Sequence, residues 1–148
     1  MAWMVQSSDS GRGMRPGSRN GSRVERSAVV PVVLVVESDP AMRRMVVDLL
    51  DARGIGADSC GSAEAALETL RSREFSLILS DIGLPAKDGF DLVRELQELT
   101  HRPPVVLMTS FGGPDTARRA KLVGAIGYLD KPFQPDELYH VVERALRN

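Results

Sequence analysis

Cysteine, histidine and aromatic residues are scarce in this chain of 148 residues, which has one cysteine, two histidines and 5% aromatic residues. The single cysteine, Cys60, excludes an intramolecular disulfide and is typical of a reducing compartment. The two histidines, His101 and His140, lack the spacing of metal ligands. No apolar run reaches the roughly 18 residues that span a bilayer, and none of signal-peptide length begins the chain. We therefore expect a cytoplasmic protein that binds no membrane.

A large net charge is also absent, since 19 basic and 20 acidic side chains leave a formal net charge of −1. Without a strong overall field, we expect no direct contact with nucleic acid. The charges are unevenly distributed, because residues 1–28 hold five arginines against Asp9 and Glu25. This segment is rich in serine and glycine and has almost no apolar periodicity. We therefore predict a disordered tail over residues 1–28 and a folded domain over residues 29–148.

Short aliphatic runs alternate with helical patterns from Val29 onward. These runs predict five strands, at residues 32–36, 55–59, 75–80, 105–108 and 126–129. Apolar residues at helical spacing follow each strand, and Asp39-Pro40 and Ser62 supply the N-caps of the first two helices. Five strands alternating with five helices are typical of an α/β fold whose parallel sheet is covered on both faces.

The expected topology is a doubly wound, flavodoxin-like sheet with strand order 2-1-3-4-5. In that order the carboxyl ends of strands 1 and 3 are neighbours, at the point where open α/β sheets place their ligands. Polar residues follow or end four of the predicted strands: Glu37, Asp81, Thr109 and Lys131. Two acids, a hydroxyl and a lysine that converge on one edge indicate a site for a metal ion and a phosphoryl group.

Four segments carry the motifs of a known family: residues 35–40, 81–89, 108–110 and 128–133. In this order and spacing they resemble the receiver domain of two-component response regulators, in its single-domain, chemotaxis-regulator-like form. The resemblance covers about residues 30–148. It implies that Asp81 accepts a phosphoryl group from a sensor histidine kinase or a phosphotransfer protein, by nucleophilic attack of its carboxylate. It also implies that the chain is not an enzyme beyond self-phosphorylation and self-dephosphorylation.

The same resemblance assigns roles to further residues. Lys131 would place its ammonium, and Thr109 its hydroxyl, on oxygens of the phosphoryl group. Pro132 would follow a cis peptide bond that directs Lys131 inward. Tyr128 would be an aromatic switch whose ring turns inward on phosphorylation. The alternative for Tyr128 is a half-buried strand residue without a switching role.

Magnesium is the implied cofactor, held by Asp81, by acids after the first strand and by the backbone carbonyl of Gly83. Glu37 fills the first of two acidic positions, but Ser38 stands at the second. A neutral hydroxyl binds magnesium more weakly than a carboxylate does, or binds it through a water molecule. Asp39 is better explained as the cap of the first helix. We therefore predict weakened magnesium binding and slower phosphorylation.

The output surface implied by the family is the face of the fourth helix, fifth strand and fifth helix. A downstream protein would bind there once Asp81 is phosphorylated, and the chain would be a monomer or a phosphorylation-dependent dimer. Phe111, two residues past Thr109, is expected to shield the acyl phosphate from water. The sequence ends with the fifth helix, as expected of either a stand-alone receiver or a fragment of a longer protein.

Two other functions compete with the phosphoacceptor. Ser38 favours a degenerate receiver, a protein-interaction module that no longer responds to phosphate. The retained Asp81, Thr109 and Lys131 argue against that module. A small flavin-binding protein shares the topology, but the loop after the first strand lacks the Ser/Thr-rich phosphate cradle that such a protein needs.

Overall fold

The computed structural model describes residues 2–4 and 30–147. Its strands are β1 Ala2–Met4, β2 Val32–Val36, β3 Gly56–Cys60, β4 Leu77–Asp81, β5 Val105–Thr109 and β6 Gly127–Asp130. Its helices are α1 Pro40–Ala52, α2 Ala63–Leu70, α3 Gly89–Leu96, α4 Pro114–Val123 and α5 Pro135–Arg147. From β2 onward, strands and helices alternate as predicted. None of the helices described here is long and apolar enough to cross a membrane.

The sheet has the strand order β1-β6-β5-β4-β2-β3. The strands from β2 to β6 are parallel, and their arrangement confirms the predicted 2-1-3-4-5 order of a doubly wound sheet. β2 and β4 are direct neighbours, with Val36 opposite Ser80. This register places the next residue of each chain segment, Glu37 and Asp81, side by side at the carboxyl edge.

The sheet has one strand more than the sequence predicted. β1 pairs antiparallel with β6 in the register Ala2–Leu129, Trp3–Tyr128 and Met4–Gly127. The structure therefore differs from the predicted disordered tail at residues 2–4, and the rest of that tail, residues 1 and 5–28, lies outside the described residues. Three residues are too few to show an alternating pattern. They pair here because β6 would otherwise leave its backbone groups open at the sheet edge.

Apolar side chains alternate between the two faces of the sheet and build a core on each side. Along β2, Val33 and Val35 pack with residues of α1 and α5, while Leu34 and Val36 pack with residues of α2 and α3. All four are buried. A strand covered on both faces is apolar without interruption, which is why its aliphatic run predicted a central strand.

Short polar side chains begin the helices. Asp39 and Ser62 each accept a backbone N–H from the first turn of the helix that follows, as predicted. α3 begins with a capping box in which Asp88 and Asp91 each accept the other's backbone N–H. The capping box was not predicted from sequence. It fixes the loop that carries the chain from Asp81 into α3.

Candidate functional site

The carboxyl edge of the sheet gathers Glu37, Asp81 and Lys131 into one ionic cluster. Nζ of Lys131 donates to Oε1 of Glu37 at 2.7 Å and lies 3.1 Å from Oδ1 of Asp81. Glu37 is 2% exposed, Asp81 9% exposed, and the side chain of Lys131 11% exposed. The structure thus brings together the two acids and the lysine that the sequence predicted to converge.

The cluster is electrostatically unbalanced, because two carboxylates share one ammonium. Burial raises the pKa of Asp81 above its ordinary value, and the hydrogen bond and charge of Lys131 oppose this rise only in part. Burial disfavours the charged form of Lys131, but hydrogen bonds to Glu37 and Asp81 still raise the pKa of Lys131. The lysine is therefore a fixed cation at neutral pH, beside a carboxylate that ionises less readily than usual.

Glu37 is held in place at the end of β2 by three contacts. Its N–H donates to the carbonyl of Cys60 at 3.1 Å, and its Oε2 accepts the N–H of Asp39 at 3.1 Å. Nη1 of Arg43 donates to the carbonyl oxygen of Glu37 at 2.6 Å. Arg43 was not singled out from sequence, since nothing in a helix pattern distinguishes it from the exposed Arg44 beside it. Only the packing of α1 over the end of β2 reveals its contact.

Asp81 is the last residue of β4, and its main chain packs closely against the start of α3. A Cβ on Gly89 would lie 2.6 Å from the carbonyl oxygen of Asp81 and 2.8 Å from Cα of Ile82. The N–H of Gly89 also donates to the carbonyl of Ile82 at 2.8 Å. Glycine is required here by this close approach of two backbones, which fixes where the Asp81 side chain leaves the sheet.

Thr109 lies at the same edge, buried at the end of β5. Its Oγ1 accepts the N–H of Phe111 at 3.0 Å, and its carbonyl accepts the N–H of Lys131 at 2.8 Å. A hydroxyl that accepts one bond can still donate another, so the chemistry predicted for Thr109 is open to it. Phe111 is 86% exposed, and its shielding of an acyl phosphate stays a prediction.

The last predicted positions lie on β6 and just after it. The Lys131–Pro132 peptide bond is cis, as predicted. Tyr128 is buried, with 3% of its surface exposed, so its ring already lies inside the protein. Burial, together with the nearby Asp130 carboxylate, raises the pKa of Tyr128 to about 12.

The oxygen donors at this edge suit magnesium in kind, although few of them are charged. Glu37 and Asp81 are buried neighbours, and the Asp81 carboxylate accepts a hydrogen bond from the N–H of Gly83. Ser38 is exposed and neutral, and Asp39 is engaged as the cap of α1. Within residues 2–4 and 30–147, no group of three or more His, Cys, Asp or Glu side chains could hold a metal ion. The two carboxylates of Glu37 and Asp81, with backbone carbonyls nearby, are still the kind of oxygen donor that a hard cation prefers, and Ser38 adds only an uncharged one.

The sequence is similar to a known family over most of its length. A model of the response regulator receiver domain matches residues 33–143. The transcriptional regulatory protein FixJ of Bradyrhizobium diazoefficiens is 33% identical over 115 residues, which cover 78% of this chain and 56% of that protein. The response regulator protein FleR of Pseudomonas aeruginosa is 40% identical over 112 residues, covering 76% of this chain and 24% of that protein. The chain thus spans only part of the length of these relatives.

Solved structures share the fold as well. The chemotaxis response regulator CheY4 of Vibrio cholerae superposes with a TM-score of 0.74 at 28% identity, covering 79% of this chain and 99% of that one. The beryllofluoride-activated NtrC4 receiver domain, solved as a dimer, gives a TM-score of 0.74 at 25% identity, covering 78% of this chain and 96% of that one.

Proposed function

We infer the function of this chain from its family, since the chain belongs to the response regulator receiver domains. We propose that it is a phosphoacceptor switch of a two-component system, with Asp81 as the acceptor. The observation that carries the proposal is the ionic cluster, in which Nζ of Lys131 lies 2.7 Å from Glu37 and 3.1 Å from Asp81. An ammonium fixed beside a buried carboxylate can stabilise the charge of a transferred phosphoryl group.

The proposed reaction is an in-line transfer from a phosphohistidine donor. A carboxylate oxygen of Asp81 forms the new P–O bond while the P–N bond of the donor breaks. The donor histidine keeps the electron pair of that bond and takes up a proton. Lys131 would exchange its contact with Asp81 for a phosphoryl oxygen, and Thr109 would donate its hydroxyl to another. The chain's own chemistry would be limited to this self-phosphorylation and to hydrolysis of the acyl phosphate.

Magnesium, when bound, would neutralise charge on the phosphoryl oxygens. Glu37, Asp81 and the carbonyl of Gly83 would hold it, with Ser38 acting weakly or through a water molecule. Because Ser38 brings no charge, we propose a magnesium affinity at least about tenfold below that of a site with a second acid there. Phosphorylation would be slowed by the same substitution and would still occur.

The partners proposed here follow from the family. A sensor histidine kinase or a phosphotransfer protein would supply the phosphoryl group in the cytoplasm. A downstream protein would bind the face of α4, β6 and α5. The NtrC4 receiver domain is a dimer in its beryllofluoride-activated form. A phosphorylation-dependent dimer is therefore one proposed output of this chain, and a monomer that binds a partner is the other.

Phosphorylation of the purified chain tests the proposal directly. The chain is incubated with acetyl phosphate and Mg²⁺, and its intact mass is measured over time. We expect one phosphoryl group on the wild type and none on Asp81→Asn, which keeps the shape of the carboxylate without its nucleophilic charge. Ser38→Asp should bind magnesium more tightly and be modified faster than the wild type.

The same experiment decides between the two receiver functions. If neither the wild type nor Ser38→Asp gains a phosphoryl group, the phosphoacceptor proposal fails and the phosphorylation-independent interaction module is favoured. If only Ser38→Asp is modified, the site is intact and Ser38 alone has made it degenerate. Equal magnesium affinities of the two proteins would contradict the weakening attributed to Ser38.

A further inference from the structure

Tyr128 is buried although it carries a polar hydroxyl. Its side chain is 3% exposed, and within the described part of the chain no hydrogen bond of regular geometry satisfies the hydroxyl oxygen. A buried hydroxyl without a partner favours a return to water. The inward position of the ring therefore needs a cause among the neighbouring residues.

Asp130 lies where it can supply that cause. It is two residues beyond Tyr128 on β6, so both side chains project from the same face of the sheet. Its carboxylate is close enough to add to the rise in the pKa of Tyr128 that burial produces. In the β5–β6 register Asp130 stands opposite Thr109. Asp130 and Tyr128 therefore lie next to the strand that carries Thr109 to the phosphoacceptor edge.

Gly112 closes the space above both groups. A Cβ on Gly112 would overlap the carboxylate of Asp130 and the hydroxyl of Tyr128. The φ angle of Gly112 is not positive, so its backbone conformation is open to other residues. Glycine is needed at this position because a side chain would have no space. The loop that contains Gly112 connects Thr109 to α4 and so joins the phosphoacceptor edge to the proposed output face.

We propose that Asp130 and Gly112 form a latch that holds the ring of Tyr128 inward before phosphorylation. The Tyr128 hydroxyl donates to the Asp130 carboxylate beneath Gly112, and this bond keeps the ring out of solvent. Asp130 is a positioning residue that acts through Tyr128 and does not touch the phosphoryl group. The inference rests on the proposed function in one respect, that the inward ring favours phosphoryl binding at Asp81.

The latch has a consequence for affinity at Asp81. If the inward ring and the bound phosphoryl group favour one another, then holding the ring inward raises affinity for the phosphoryl group by the same factor. Releasing the latch should therefore weaken the binding of beryllofluoride, a phosphoryl analogue, by about tenfold, which lies within the usual range for coupled sites. Part of the protein would therefore have the Tyr128 ring inward before Asp81 is phosphorylated.

The test measures the ring and the affinity separately. The chain has two tyrosines, so Tyr139→Phe leaves 3-fluorotyrosine at Tyr128 alone for fluorine NMR of the free protein. We expect a buried resonance in this background, a solvent-exposed one after Asp130→Ala, and a buried one after Asp130→Asn, whose amide oxygen still accepts the hydrogen bond. Beryllofluoride binding in Mg²⁺ should weaken about tenfold in Asp130→Ala and stay near the wild-type value in Asp130→Asn.

A double-mutant cycle separates the latch from a general structural effect. In a Tyr128→Phe background the hydroxyl is missing, so Asp130→Ala should cause no further loss of affinity. Gly112→Ala is an independent variant that should expel the ring by filling the space above it. An exposed ring in the unsubstituted background, or equal loss in both backgrounds, would overturn the latch. Failure of the wild type to bind beryllofluoride would overturn the proposed function, and the fluorine spectra of the free protein would still decide the latch.

Discussion

At the scale of single residues, the Lys131 ammonium balances part of the negative charge of the two buried carboxylates in the site. It lies between Glu37 and Asp81, two buried carboxylates that would otherwise repel one another. Removing one partner of a buried ion pair leaves a charge that neither water nor a counter-ion stabilises. Lys131 therefore has two effects, since it stabilises the folded protein and it favours the ionised form of Asp81.

Lys131→Met should raise the pKa of Asp81 further. Burial already raises this pKa, and Lys131 is the group that opposes the rise. Because the pKa of Asp81 is higher in the folded protein than its ordinary value, ionisation of Asp81 destabilises the fold as the pH rises through the folded pKa. The variant should thus be about 3 kcal/mol less stable than the wild type near neutrality, with a smaller difference in acid. Carbon-13 NMR of the Asp81 carboxyl and urea unfolding at several pH values measure both.

Glu37→Gln is the matched control for that prediction. The substitution removes the negative charge of Glu37, which raises the pKa of Asp81. Lys131 is then left to pair with Asp81 alone. The pKa of Asp81 should therefore fall. Shifts in the same direction for the two variants would contradict the roles assigned to the cluster.

At the scale of elements, the start of α3 fixes how Asp81 leaves the sheet. Gly89 allows the helix backbone to contact the backbone of residues 81 and 82. The capping box of Asp88 and Asp91 then satisfies N–H groups at the same helix end. The loop before α3 is held at both ends, so the carboxylate of Asp81 is oriented by packed main chain.

Gly89→Ala should destabilise the protein and disturb the site together. The new Cβ would lie 2.6 Å from the carbonyl oxygen of Asp81, and neither backbone can give way cheaply. We expect a loss of about 2 kcal/mol in the free energy of unfolding and slower modification by acetyl phosphate. Gly56→Ala, at the start of β3 and away from the site, is the control, because its Cβ would lie no closer than 3.3 Å to another atom. A change of similar size in both variants would show that close backbone packing is not the reason for Gly89.

At the scale of the whole molecule, the first residues of the chain complete the sheet that the last elements leave open. β1 pairs with β6, and Trp3 stands opposite Tyr128 in the register. β6 also belongs to the proposed output face with α4 and α5. An edge strand covered by the chain itself is not available to pair with another chain.

Removal of residues 1–28 should uncover the edge of β6. Amide hydrogens of Gly127–Asp130 should exchange faster with solvent, while those of the central strand β2 should not change. The free energy of unfolding should fall by less than about 1 kcal/mol, because the described part of the removed segment is an edge strand of three residues. Trp3→Pro in the full chain is the control, since it disturbs β1 and keeps the rest of the segment. Unchanged exchange in both proteins would contradict the pairing of β1 with β6.

The five parallel strands and the edge at which Glu37, Asp81, Thr109 and Lys131 lie could be predicted from the sequence, and the strand order was taken from the known topology of doubly wound sheets. These follow from local causes: uninterrupted aliphatic runs require cover on both faces, caps such as Asp39 and Ser62 begin helices, and parallel strands end at a common edge. The absence of a second acid at Ser38 was equally visible, because it needs only the motif and its spacing.

Which of these groups contact one another, and how, could be seen only in the folded chain. Lys131 meets Glu37 across 94 positions of the chain, Arg43 reaches the Glu37 carbonyl, and Gly112 closes over Tyr128 and Asp130. The pairing of β1 with the edge of β6 is of the same kind. Periodicity and capping describe neighbours within a few residues, whereas these contacts depend on where the packing of helices on the sheet brings distant segments together.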